Sequence, residues 1–442
     1  MNIITLVTLG FCCLALLLRY PEITLILFLS SGTFKSQFAA MFPQAPDITI
    51  ILALILVTGT VFSVPAFLRT ARAAKASSAS APKFLLNSSQ TFNFLLTFFS
   101  LVVVMALSAF TDADNSYGPE KTVRFATLTG LALFAPIVTV QSEKNILRLI
   151  ITFIIVALLM VTLGQTTPEG LTAFGANHIA TGRVIGLGFL GGLYFTLRSQ
   201  SRTLKNVVVR IIMLIVNIVL GYGVFYSGSR GVLVALLCAL GTAGLIAFYF
   251  RKGRNLILTG GATVIAMIVT TTIFAPDAAL TMNKRIRNTV SGPIDQTAHT
   301  RVIRAEAAID MFQKNPFTGV GIGGFDQEFN PYQSERGDYP HNLFLEVAAE
   351  LGIVGLFLIT LLIFIPLRAL LKGLAYGNRP LTLLILTITV YLLVNALFSG
   401  DLNDNRFLFT ALGLCLAAPR TATKAPEVTR EGAAQWQPAS VS

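Results

Sequence analysis

The residues Asp338-Tyr339-Pro340-His341-Asn342-Leu343-Phe344-Leu345-Glu346 mark the sharpest change of character in the chain. Before them, residues 276–340 carry charges, glycines and prolines; after them an apolar run starts at once, headed by a histidine. Elsewhere nearly every long segment is apolar and joined to the next by a short polar connector. The 442 residues are 54% hydrophobic and 12% charged, with a mean hydropathy of +0.72. A soluble domain carries about 25% charged residues, so this balance is that of an integral membrane protein. Apolar runs of roughly 20 residues are long enough to cross a bilayer. Lipid offers the backbone no hydrogen-bond partners, so such runs are helices.

Working outward from that stretch, spans are expected at 342–366, 381–398 and 406–418 on its C-terminal side. On its N-terminal side they are expected at 48–68, 90–110, 122–140, 146–163, 179–197, 207–226, 231–250 and 255–275. Residues 1–34 hold two short apolar runs interrupted by Arg19-Tyr20-Pro21-Glu22, which make either one broken helix or two. The first run has no basic flank and no small-residue cleavage site, so it reads as a retained helix. The expected fold class is therefore an all-α polytopic membrane protein with 12 or 13 transmembrane helices and one long segment outside the membrane. Four parts follow: a helix bundle over 1–275, the hydrophilic segment 276–341 with an amphipathic helix, the C-terminal spans 342–418, and a disordered tail 419–442 rich in Ala, Thr, Pro and Glu.

The formal charge of +12 invites a nucleic-acid reading, but the placement of the basic residues opposes it. They gather in alternate connectors: Arg69, Arg72, Lys75 and Lys83; Arg198, Arg202 and Lys205; Arg251, Lys252 and Arg254; Arg368, Lys372 and Arg379; then Arg420 and Lys424. That alternation is the positive-inside pattern. It puts these connectors and the C-terminal tail in the cytoplasm and segment 276–340 on the outer side. Cys12, Cys13, Cys238 and Cys415 all lie in apolar runs without metal-ligand spacing and read as packing residues.

Three outward places hold polar or basic residues that orientation does not require. In Asn177-His178-Ile179-Ala180-Thr181-Gly182-Arg183, Arg183 lies about one turn inside a span, where a charge must face protein, water or an anion, or snorkel to the headgroups. In Ser227-Gly228-Ser229-Arg230-Gly231, an arginine beside hydroxyls and backbone N–H groups at a helix start suits an anion; the alternative is an interfacial anchor. In the long segment, residues 299–314 have amphipathic helical spacing. Arg301 and Arg304, three apart, share a face there, turned either to a ligand or to solvent and headgroups. The glycines from Gly319 to Gly324 neither follow a strand nor open a helix, so they read as a flexible loop and not as a dinucleotide fingerprint.

His341 opens a span, and a helix N-terminus disfavours imidazolium, so the ring is expected to be a neutral base. Asn342, Glu346 and Glu350 are four apart, forming a polar stripe about 12 Å long into the membrane. Two carboxylates on one face of a spanning helix are seldom lipid-facing. The residues alone leave His341 open between catalysis and a capping or interfacial role. The three histidines, His178, His299 and His341, have no metal-ligand spacing, and no metal site is expected.

The run from Arg301 through Asn315-Pro316-Phe317-Thr318-Gly319-Val320-Gly321-Ile322-Gly323-Gly324-Phe325, followed by His341-Asn342-Leu343-Phe344-Leu345-Glu346 and Glu350-Leu351-Gly352, resembles the signature of the O-antigen ligase and polymerase superfamily. The Ser229-Arg230-Gly231 turn fits it as well, so the resemblance covers roughly residues 170–360. It implies a C-type glycosyltransferase-like fold and a metal-independent, inverting transfer with no cofactor and no nucleotide sugar. The implied setting is the bacterial inner membrane, with the active site and the long loop on the periplasmic side. His341 matches the family's catalytic histidine; Arg230 and Arg301 match arginines that hold the donor pyrophosphate, with Arg183 and Arg304 beside them. Asn342, Glu346, Asn177 and Ser229 are expected to support them.

The implied partners are an undecaprenyl-pyrophosphate-linked glycan, lipid A core or a second lipid-linked glycan as acceptor, and membrane lipids, but no nucleic acid. A ligase and a polymerase share these motifs, and the single long outer segment ending at the histidine favours the ligase. A lipid-glycan transporter, the reading from another class, would need charges along a midplane path, whereas here they gather at one face.

Overall fold

The computed structural model describes residues 12–76, 88–111, 117–198, 204–249, 296–329, 338–376 and 379–422, with isolated positions from 261 to 276. Over them the chain forms a helical bundle. A short helix α1 (Cys12–Arg19) turns through 104° into α2 (Pro21–Met41), so the interruption at Arg19-Tyr20-Pro21-Glu22 is a sharp bend between two helices. Proline at the first position of α2 suits a helix start, where its missing N–H is not needed. Then come α3 (Ile48–Ala76), α4 (Ser88–Thr111), α5 (Tyr117–Thr139, with a π-helical turn over Phe125–Thr129) and α6 (Glu143–Leu163).

The middle of the chain adds α7 (His178–Arg198), α8 (Leu204–Tyr226) and α9 (Arg230–Tyr249). Outside the hydrophobic bundle proper lie α10 (Gln296–Lys314) and the single turn α11 (Gly324–Phe329). The C-terminal elements are α12 (Leu343–Tyr376), α13 (Arg379–Ala396) and α14 (Arg406–Ala422).

The all-α polytopic class is what the chain adopts. Among the described residues, eight helices are long and apolar enough to cross a membrane, and nine if the bent α1–α2 pair makes one span. Two further apolar helices are shorter, Pro380–Ala396 and Arg406–Ala418. Seventeen residues rise only about 26 Å, a little less than the hydrocarbon core of about 30 Å. They are joined by the part-buried turn 397–405, in which Gly400, Leu402, Asn403 and Asn405 are buried and Phe398 and Asp404 are exposed. The span expected at 255–275 lies largely outside the described residues, as do 277–295 and 423–442. The proposed tail overlaps the end of α14, which runs to Ala422.

At the centre is α7, with 83% of its apolar window buried. It packs between α6 and α8. Its glycines allow this: a Cβ on Gly188 would come 2.4 Å from the Ala157 Cβ, and one on Gly186 would strike the ring of Tyr391. Small residues at such crossings let helix backbones approach closely in lipid. Of the four cysteines, only Cys415 is buried; Cys12, Cys13 and Cys238 lie on exposed helix sides, so the packing role holds for one of four.

Alternate connectors meet at opposite ends of the bundle. At one end Ser108 reaches Ile322, Lys121 reaches Glu350, Arg183 reaches Ser399, and Ser36 reaches Phe174. At the other, Arg148 pairs with Glu22 and Arg198 with Glu143. A two-stranded antiparallel hairpin, β1 (Gln165–Thr167) and β2 (Gly170–Thr172), caps the first end. The apolar-run reading contained no such element, because three-residue strands leave no periodicity to detect.

Candidate functional site

The site grows from a break in α12. Gly352 has a left-handed backbone (φ 61°), so the helix from Leu343 stops being regular there. A broken turn leaves carbonyls and N–H groups that need partners. The loop after α10 supplies them: Val320 N donates to Ala349 O at 2.8 Å, Gly321 N to Glu350 O at 3.0 Å, and Pro316 O accepts from Ile353 N at 2.8 Å. Gly319 packs so closely that a Cβ would lie 2.3 Å from the Glu350 carbonyl carbon. The segment read as a flexible loop is therefore held to α12 by two backbone bonds, with a third from Pro316 just before it. Its glycines serve positive φ and close approach, which sequence alone does not separate from flexibility.

This anchoring fixes the start of α12. Asn342 caps it, its Oδ1 accepting from Phe344 N at 3.0 Å and Leu345 N at 3.1 Å. His341, just before, takes a left-handed φ of 57°, uncommon for any residue with a side chain. Its ring meets Tyr339 edge-on, with centroids 4.3 Å apart. Its Nδ1 is buried and has no hydrogen-bond partner among the described residues. Burial, then the charges of Arg301 and Arg304, depress its pKa from 6.5 to about 4, against the opposing pull of Asp338. Burial and the neighbouring cations thus favour the neutral imidazole.

The four arginines separate into distinct settings. Arg230 opens α9 and Arg301 lies in the second turn of α10; both line one cavity of about 450 Å³ at this end of the bundle. Arg301 is half-buried, and burial followed by the charges of Arg230 and Arg304 lowers its pKa. Arg304 is committed to Asp338 at 2.5 Å and lies 5.8 Å from the ring centre of Phe329. It therefore ties α10 to the segment carrying His341. Arg183 is buried under the turn 397–405, donating from Nη2 to Ser399 O at 3.2 Å, and does not line the cavity.

The supporting residues divide as well. Ser229 is buried in the turn before α9 and lines the cavity. Asn177 caps α7, its Oδ1 accepting from Ala180 N at 2.8 Å, and does not line the cavity, although His178 and Ile179 after it do. His341 is not among the residues lining the cavity; its link to it is the electrostatic influence of Arg301, which does line it.

Glu346 and Glu350 are buried, and both turn to Lys121 on α5. Lys121 Nζ donates to the two oxygens of Glu350 at 2.8 and 2.6 Å and lies 2.6 Å from Glu346 Oε1. Lys121 O in turn accepts from Asn403 Nδ2 at 3.1 Å, joining this cluster to the turn over Arg183. Lys121 falls one residue before the span expected at 122–140. The signal for it was the glutamate pair itself, since two carboxylates inside a bundle demand a cation. Glu169 on the hairpin, His178 and Phe398 also line the cavity; Glu169 and Phe398 carry no signal in the sequence, and His178 is weighed there only as a metal ligand. Among the described residues no group of His, Cys, Asp or Glu is arranged to hold a metal ion.

Residues 214–360 match the family model described as O-Antigen ligase. The match covers about a third of the chain and includes Ser229, Arg230, Arg301, Arg304, His341, Asn342, Glu346 and Glu350. The resemblance to the O-antigen ligase and polymerase superfamily holds over this region. No curated protein matches the chain.

Proposed function

We propose that this chain, with its O-antigen ligase region, moves a glycan from undecaprenyl pyrophosphate to a hydroxyl of lipid A core at the periplasmic face of the inner membrane. The observation that carries this reading is the pair Arg230 and Arg301, brought from two elements to one cavity with the neutral His341 beside it. Planar guanidinium groups suit phosphate oxygens, and donors fixed in advance stabilise charge that develops during reaction. The acceptor hydroxyl attacks the anomeric carbon from the face opposite the pyrophosphate, which inverts that centre. As the new C–O bond forms, His341 takes the hydroxyl proton. The bond to pyrophosphate breaks with its electron pair going to the phosphate oxygen, where the two arginines offset the charge.

Glu346 and Asn342 act at one remove by fixing the first turns of α12.

The test is the glycan pattern of a deletion strain. Without a ligase, long glycans accumulate on undecaprenyl pyrophosphate while lipid A core stays bare, and that pattern is expected. Core carrying a single repeat unit would reassign the acceptor to a second lipid-linked glycan, making the protein a polymerase. Unchanged lipopolysaccharide with a missing capsule or slime would point to exopolysaccharide polymerisation.

A further inference from the structure

Within the hydrophilic segment, the eleven residues from Asn315 to Phe325 carry no charge, with Lys314 before them and Asp326 after. Phe317 stands out among them at 72% exposed. An apolar ring left in water forgoes the gain of burial, so the level of this stretch against the spans decides what covers it.

Two hydrogen bonds set that level. Ile353 N donates to Pro316 O at 2.8 Å, and Ile322 N donates to Ser108 Oγ at 2.9 Å. Both partners belong to helices long and apolar enough to cross a membrane, Ser108 to Phe92–Phe110 and Ile353 to Leu343–Leu374. Arg368 is the first basic residue along α12 after Ile353, and a long charged side chain keeps its head at the lipid headgroups. The 15 residue steps from Ile353 to Arg368 rise about 22 Å. The hydrocarbon core is about 30 Å thick, so Ile353 and the Pro316 bonded to it lie up to about 8 Å below its near edge.

The side on which Phe317 emerges is apolar too. Ile353, Val354, Phe357 and Phe364 are exposed along one face of α12, and Leu107 and Phe110 are exposed at the end of α4. Phe317 continues this surface: a Cβ on Gly352 would come 2.4 Å from its carbonyl oxygen. On the inward side the backbone is satisfied by protein, as irregular chain at membrane depth requires. Pro316 has no N–H, Gly319 N donates to Asn315 O, and Val320 and Gly321 donate to α12.

We infer that residues 315–322 dip into the lipid leaflet at this end of the bundle, with Phe317 packed among acyl chains. The partner is the bilayer itself, and the charges of Lys314 and Asp326 mark where the chain leaves it. Because α10 ends at Lys314, directly before the dip, the anchor also fixes the depth of the helix that carries Arg301 and Arg304. This placement holds whichever acceptor the protein uses.

Trp436 is the single tryptophan, so Phe317→Trp in a Trp436→Phe background puts one emitter at the dip. The full chain is reconstituted in phosphatidylcholine vesicles brominated on the upper acyl carbons, with iodide in the water as the opposing quencher. Val354→Trp in the same background marks contact with acyl chains. Phe317→Trp is expected to lose as large a share of its emission to bromine as Val354→Trp does, and little to iodide. Strong quenching by iodide and none by bromine puts the ring in water and overturns the dip. Protection from both quenchers shows a protein partner, such as a second copy of this chain, and overturns it as well. Bromine quenching that is abolished by added undecaprenyl pyrophosphate gives the surface to a substrate chain in place of bulk lipid, which also overturns it.

Discussion

The cavity between Arg230 and Arg301 and the buried cluster of Lys121, Glu346 and Glu350 lie at the same end of the bundle, yet they treat charge in opposite ways. In the cluster, each side chain is at most 4% exposed and the ammonium meets both carboxylates within 2.8 Å. In the cavity, two guanidinium groups face the same accessible space and their like charges act on one another. The arginines share their opening with Glu169 and His178, whereas the closed ion cluster between α5 and α12 is a fastening. On the function proposed above, the contrast separates groups assigned to the substrate from groups that hold them in place. Lys121 and His341 are bound to the same short helix start, and they fall on opposite sides of that line.

The largest expected effect tests the chemical side. His341→Ala, inserted and expressed as normal, should lose about 10²- to 10⁴-fold in turnover, the range for removing a general base. Turnover near that of the unaltered protein would remove His341 from the reaction. The fastening side is tested next. Lys121→Met leaves two buried carboxylates uncompensated, and breaking a buried pair in this way costs about 3–5 kcal/mol. Thermal unfolding of the purified variant should show the loss. Adding Glu346→Leu and Glu350→Leu should restore most of it, since apolar replacement of a whole buried ion group is close to neutral. A Lys121→Met protein that melts normally but no longer transfers glycan would break the comparison and move Lys121 to the chemical side.

The smallest effect links the two histidine neighbours. Because the His341 pKa is depressed to about 4, its proton-accepting form prevails above that pH and is lost as pH falls through it. The acid limb of kcat/KM, which reports the free enzyme, should therefore lie near pH 4. Arg301 is one of the cations holding that value down, so in the residual activity of Arg301→Gln the limb should move to higher pH. A limb that stays put would show that His341 does not sense the cavity.

The membrane class and the helices follow from the sequence alone, because apolar runs in lipid have one backbone solution. The alternation of basic connectors also anticipated which helix ends meet, since each span reverses direction. Arg230 was legible for a related reason, since a charge that orientation does not require stands out against an apolar background; Arg301 and His341 were marked by the resemblance of their segment to a known family. Tertiary structure alone decided how these residues divide. Arg304 went to Asp338, Asn177 and Asn342 to helix caps, and Arg183 beneath the turn 397–405. The glycines after Asn315 became the fixed partner of a break in α12. Lys121, some 220 residues from Glu346, and Glu169, brought over the cavity by a hairpin, carry no local signal. Sequence patterns report each residue's preference for lipid, water or helix, whereas an ion pair or a shared cavity depends on which distant segments the packing brings within a few ångströms.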